Sequence, residues 1–157
     1  MSLHSDRTPE EIHRSAIAGF YARMRSNYDF LYEKFGDDGL KLIAEMSRKY
    51  GLEVAEIAKK RMDGNDLTSV TRQLMRIFEN VGGKKETGDA VQMIENRIVV
   101  RASQCPLKLA NYKMCLAHTT MEKTVVETLS HNLTYRIGKS IPAGDPYCEH
   151  IIEIKES

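Results

Sequence analysis

Ala90-Val91-Gln92-Met93-Ile94-Glu95-Asn96-Arg97-Ile98-Val99-Val100-Arg101-Ala102 is the stretch on which the fold turns. Upstream of it, apolar residues recur every three or four positions. Here the period shortens, in two brief segments parted by Glu95-Asn96. Successive side chains of a strand point to opposite faces, so this pattern reads as two strands, and the two-residue break reads as a hairpin turn although it lacks the favoured Asn-Gly pair. An isoleucine-rich run at 149–155, with Ile151, Ile152 and Ile154, supplies a third strand. Pairing it antiparallel with 97–102 sets the end of the earlier strand beside the start of the later one.

Working upstream, Thr8-Pro9-Glu10-Glu11 opens a helix: the Thr hydroxyl caps, Pro suits the first helical position, and Glu11 reaches back to close the capping box. Ile12, Ala16, Phe20, Met24, Tyr28 and Leu31 follow at helical spacing, and Gly36 ends the helix. A second helix is expected from Asp37 or Asp38 to a stop at Gly51, then a short one over 52–62. Asp66 starts the last of the group, which carries Val70, Leu74, Ile77, Phe78 and Val81 on one face and ends at Gly82-Gly83. Between the hairpin and the final strand, 106–138 is expected to be mostly helical. Thr119-Thr120-Met121-Glu122, a second capping-box pattern, divides it into a short helix starting at Pro106 and passing through Cys115, and a longer one carrying Val125, Val126, Leu129, Leu133 and Ile137, with His131 inside it. The sum is an α+β fold in one domain, 1–157: a helical half (1–83), then a small antiparallel sheet with a helix pair packed on it (84–157).

Composition narrows the function. A chain of 157 residues, 41% hydrophobic, has enough apolar side chain for one core. Its 23 basic and 22 acidic residues give no electrostatic reason to expect nucleic acid or an anionic membrane as partner. The segment Met1-Ser2-Leu3-His4-Ser5-Asp6-Arg7 lacks an apolar signal core, and no run approaches the roughly 20 apolar residues of a spanning helix, so a cytoplasmic protein is expected. The apolar helix faces, with Phe20, Tyr28, Phe35 and Phe78, exceed what a three-stranded sheet covers, which points to a homodimer.

The chemistry-bearing residues gather in the final third. All three cysteines, Cys105, Cys115 and Cys148, lie there, and His118 follows Cys115 by three residues. The expected strand pairing brings Cys105 near Cys148, while Cys115 and His118 share one helix face directed to the same end of the sheet. Four soft or borderline donors can thus meet and hold a transition metal, zinc or iron, or an iron-sulfur cluster. No Cys-x-x-Cys knuckle supports this, so two other readings stay open: a metal-free thiol pocket, or three cysteines buried as small hydrophobes. His150, two residues beyond Cys148 and on its strand face, is a reserve ligand. The rigid loop Pro142-Ala143-Gly144-Asp145-Pro146-Tyr147 presents Asp145, and with Glu149 this gives two carboxylates as candidates for a general base.

Cys105-Pro106-Leu107 after a strand, Cys115 in a helix, and Gly144-Asp145-Pro146-Tyr147-Cys148 leading into an isoleucine-rich strand resemble the L-2-amino-thiazoline-4-carboxylic acid hydrolase-like family over residues 95–155. More distantly the pattern is similar to vinyl-reductase-type ligand-binding domains. The resemblance implies a small-molecule substrate, hydrolytic opening of a cyclic thiazoline amidine, and Cys105, Cys115 and Cys148 as the positions carried over. Its counterpart is a non-enzymatic metal, iron-sulfur or ligand sensor.

Overall fold

In the computed structural model, residues 5–82 and 90–156 are described. The helical half holds α1 (Pro9–Phe35), α2 (Asp37–Lys59) and α3 (Leu67–Gly82), and among the described residues it contains no strand. The second half runs β1 (Ala90–Ile94), β2 (Arg97–Ala102), α4 (Tyr112–His118), α5 (Thr120–Leu129), β3 (Leu133–Ile137) and β4 (Cys148–Ile154), an α+β chain. Gly83, expected to end α3, and the change of period up to residue 89 fall outside the described residues. No helix among those described is long and apolar enough to cross a membrane.

Local chemistry accounts for most boundaries. Thr8 and Glu11 form the capping box of α1, the Thr8 amide donating to Glu11 at 2.7 Å and the Glu11 amide to the Thr8 hydroxyl at 3.2 Å. Gly36, at φ +57°, supplies the reversal between α1 and α2 that a side chain would strain. Asp66 caps α3 by accepting from the amides of Thr68 and Ser69.

Two expectations about helices fail for reasons of packing. Gly51 does not stop α2: the helix passes through it, absorbs the segment expected as a separate helix over 52–62, and ends at Lys59. Gly51 is instead the point where α2 meets α5, and a Cβ there would lie 2.8 Å from the Met121 carbonyl oxygen and 2.9 Å from the Thr124 Cβ. Gly39, Ile43, Ser47, Gly51 and Ala55 form the buried stripe, small enough at most positions for close approach. The second failure concerns 106–138. The helix does not begin at Pro106; Cys105 to Lys108 makes a turn, the Lys108 amide donating to the Cys105 carbonyl at 3.1 Å, and α4 begins only after Asn111 caps the Met114 amide.

Nor does the long helix reach Ile137. It stops at Leu129; His131 sits in a turn, and Leu133 and Ile137 lie on β3, which the sequence reading missed. The residues Val125, Leu129, Leu133 and Ile137 are four apart, a spacing that suits one face of a helix and equally one face of a strand. The burial of Leu133, Tyr135 and Ile137, alternating with the more open Thr134 and Arg136, is that of a strand.

The sheet is antiparallel with order β1-β2-β4-β3. β2 and β4 are neighbours, in a register that sets Ala102 against Cys148 and Val100 against His150. One sheet face carries Ile98, Val100, Tyr135, Ile137 and Ile152 against α5, α2 and α3. A second apolar cluster joins Tyr28 and Ile43 to Leu107, Leu109, Met114 and Cys115. Of the four aromatic residues expected to reach a second copy, Tyr28 is buried and Phe78 packs on the core; Phe20 and Phe35 stay exposed.

Helix propensity alone would make Gly51→Ala stabilising by about 1 kcal/mol. Backbone sits where the new methyl must go, and overpacking of this kind costs about 1–3 kcal/mol. Gly51→Ala should therefore lower the thermal midpoint. A raised midpoint in a calorimetric scan would show that α2 and α5 are free to separate.

Candidate functional site

A cavity of about 630 Å³ lies between the two clusters. β4 lends it Cys148 and His150, which project to one face because they are two residues apart on a strand. The α4–α5 unit lends Cys115, His118 and Glu122, spaced three and four residues apart and so on one helical face. Cys105 comes from the turn after β2, a turn fastened from outside by α1, whose Arg25 guanidinium donates to the Leu107 carbonyl at 3.0 Å. Cys105, Cys115, His118 and Cys148 thus line one space.

Asp145 and Glu149 do not line it. The Asp145 carboxylate accepts from the Ser140 amide at 2.8 Å and closes the loop in which both lie. Glu149, between Cys148 and His150, is turned to the opposite face of the strand by the two-residue period, and there it faces Arg101 at 3.3 Å. Of the three carboxylates among the described residues that border the cavity, Glu10 and Glu79 are exposed at its rim and Glu122 is buried; sequence reading had assigned Glu122 to a helix cap. Thr119 caps nothing: its hydroxyl donates backwards to the Cys115 carbonyl at 2.9 Å, leaving Glu122 free to point elsewhere.

Burial sets the protonation of the deeply placed groups Glu122, His118, His150, Cys115 and Cys148. The Glu122 carboxyl is buried, its Oε2 has no hydrogen-bond partner among the described residues, and loss of solvent pushes its pKa up to about 7. Burial holds both imidazoles neutral, His118 and His150 each down to about 4. Tyrosine hydroxyls occupy their Nδ1 atoms, Tyr28 at 2.9 Å from His118 and Tyr135 at 2.7 Å from His150. That leaves Nε2 of each ring as the nitrogen available to a ligand. The His150 ring also packs on Phe78, centroids 4.6 Å apart.

Two of the thiols, Cys115 and Cys148, are held neutral as well. Burial pushes Cys115 up to about 11 against the Ser140 hydroxyl, which donates to its sulfur at 3.6 Å. Burial also raises Cys148, opposed by the Ile141 amide, which donates to Sγ at 3.3 Å. Among the described residues, no three His, Cys, Asp or Glu side chains are grouped so as to hold a metal ion as they stand. The chemistry available without rearrangement is that of one buried carboxyl poised near neutrality, two neutral imidazoles and the protonated thiols of Cys115 and Cys148, in a largely apolar cavity.

No family model matches the chain, and no curated protein matches it either.

The buried carboxyl leaves a signature in stability. Its folded pKa lies above the ordinary 4.5, so its contribution is full below about 4.5 and is lost as pH rises through about 7. Glu122→Gln removes that titration. The stability of the Gln variant relative to the unaltered chain should therefore climb by roughly 3 kcal/mol between the lower and the higher pH. The two histidines titrate in the opposite sense, but equally in both proteins, and drop out of the difference. Urea unfolding across this range checks it; a flat difference would mean that the carboxyl reaches water.

Proposed function

We propose that the chain binds a small organic molecule in this cavity and hydrolyses a carbon-nitrogen bond in it, with Glu122 as the proton carrier. One observation carries the reading: a buried carboxyl whose Oε2 has no partner among the described residues, lining the same cavity as two buried histidines and three cysteines. A group with a pKa near the working pH populates both its forms, so it can take a proton from an attacking water and return it to a departing nitrogen. The neutral imidazoles contribute hydrogen bonds that place the ligand, their rings fixed by Tyr28 and Tyr135. The resemblance to thiazoline-carboxylate hydrolases supports a cyclic amidine as the reacting group. Water adds across the amidine C=N bond, Glu122 taking one water proton and passing it to the ring nitrogen. The C–OH so formed then gives its proton to Glu122 as the carbonyl forms and the ring C–N bond breaks, and that second proton passes to the departing nitrogen, which leaves as an amine. Asp145 and Glu149 have no part in this, being engaged elsewhere.

A second reading keeps the thiols as ligands of zinc or iron. The amide of Ile141 donating to Cys148 Sγ favours it, since such a bond stabilises a thiolate, and a metal would lower the thiol pKa that burial raises. It needs the donors to draw together. In that case the module serves as a metal or ligand sensor, with or without turnover.

Turnover of a cyclic amidine, followed as ring opening by chromatography, separates these. In the carboxyl mechanism Glu122→Gln lowers kcat/KM by about 10²-fold or more, with an inflection near pH 7 in the unaltered enzyme, while Cys148→Ser costs less than about tenfold. In the metal reading Cys148→Ser is the severe change, and elemental analysis of anaerobically purified protein finds stoichiometric metal. Binding without turnover in either protein would leave a sensor.

A further inference from the structure

The cavity is too large and too apolar for a ring alone. Its roughly 630 Å³ falls within the range of about 300–1,000 Å³ that takes a drug-sized ligand, whereas a small amidine of about ten heavy atoms would leave most of it unfilled. Away from Glu122 the wall is largely hydrocarbon. Val100 and Ile137 rise from the sheet, Leu107 and Leu109 come from the turn after β2, Ile77 and Phe78 from α3, and Ile17 from α1. The charged residues bordering it on α1 and α3, Glu10, Arg14 and Glu79, are all exposed, where water and salt screen them. Among the described residues, Glu122 is the one buried carboxylate of the lining, and its Oε2 has no hydrogen-bond partner. A buried acceptor left open in an apolar chamber is costly unless a ligand completes it.

We propose that the cavity is built for an apolar nitrogen base: a drug-sized molecule whose hydrocarbon or aromatic body fills the space under α1 and α3, and whose single amine or amidine head is hydrogen-bonded to the Glu122 carboxylate. This rests on the reading that the cavity takes a small molecule, and it is independent of hydrolysis. The head and the body are recognised by different residues. Glu122 supplies charge and two acceptor oxygens; the two Nε2 atoms border the head; the sheet face and α3 read only length and bulk. Such a division predicts that affinity grows with apolar body until the space is full.

The test uses n-alkylamines from butylamine to decylamine, with the matching alcohols, titrated calorimetrically into the full chain. Each methylene should tighten amine binding roughly three- to fourfold until the cavity is filled. Octylamine should bind at least about tenfold more tightly than octanol. Glu122→Gln should erase that preference, leaving octanol within about twofold of its original affinity. Ala102→Phe, which puts bulk beside Cys148, should shorten the longest amine accepted and spare butylamine. An amine series flat in chain length, or an octanol affinity equal to that of octylamine on the unaltered chain, would overturn the proposal without recourse to any variant. A flat series in a protein that still opens cyclic amidines would sink this inference and spare the hydrolase. A steep series in a protein that turns nothing over would do the reverse.

Discussion

The backbone of α5 lies against Gly51 of α2, and the placement of the site follows from that contact. With no side chain between them, the Met121 carbonyl and Thr124 approach α2 as closely as van der Waals radii permit. A helix held so tightly on one side cannot roll. Its other sides are fixed too: Val125, Val126 and Leu129 are buried against the sheet, and this leaves Glu122, one residue after Met121, facing the cavity. The position of the carboxyl is therefore a consequence of a glycine on another helix. A larger residue at 51 would shift α5 outward and turn Glu122 away from the two imidazoles.

Tight packing also explains why a carboxyl can be kept in so poor an environment. Burying Glu122 without a partner for Oε2 works against folding, and lowering the pKa of two histidines works against it again at acid pH. Residues that oppose stability in this way concentrate at functional sites, where the rest of the structure supplies the offset. Here the offset lies in the two apolar clusters that flank the cavity. The two buried thiols fit the same account from the other direction: Cys115 and Cys148 are neutral groups that cost little to bury, and the Ser140 hydroxyl and Ile141 amide satisfy their sulfurs.

Much of this was legible in the chain, and what was not had identifiable causes. The hairpin and the pairing of β2 with β4 follow from alternation, and they account for Cys105 and Cys148 reaching the same cavity. β3 was hidden because its buried residues continue the four-residue spacing of α5, and nothing in a spacing of four separates helix from strand. The alternation of Tyr135 with Thr134 and Arg136, read by itself, would have shown it. Glu122 was hidden by Thr119, whose type and spacing match a helix cap while its hydroxyl serves the preceding carbonyl. The spacing of Cys115, His118 and Glu122 carried the correct information all along. Glu149 could have been set aside from sequence alone, since a residue between Cys148 and His150 on a strand cannot share their face. Gly51 could not: a helix stop and a close helix crossing both call for glycine, and only the neighbouring helix decides which.

The two tyrosine-histidine pairs tie the halves of the chain to one another at the site. Tyr28 reaches His118 from α1, in the helical half, whereas Tyr135 reaches His150 from β3, in the sheet. Each hydroxyl fixes a ring that would otherwise rotate about its Cβ–Cγ bond, and each ring belongs to a different wall. The walls are thus oriented from opposite sides: α1 determines how the α4 imidazole is presented, and the sheet determines how the β4 imidazole is. A cavity assembled this way has its geometry only when α1 is docked. The bond from Arg25 to the Leu107 carbonyl and the burial of Tyr28 against Met114 and Ala117 secure that docking beside the turn that carries Cys105. The helical half, which bears no chemistry of its own in sequence, thereby fixes one of the imidazoles, and α1 supplies one wall of the cavity as well.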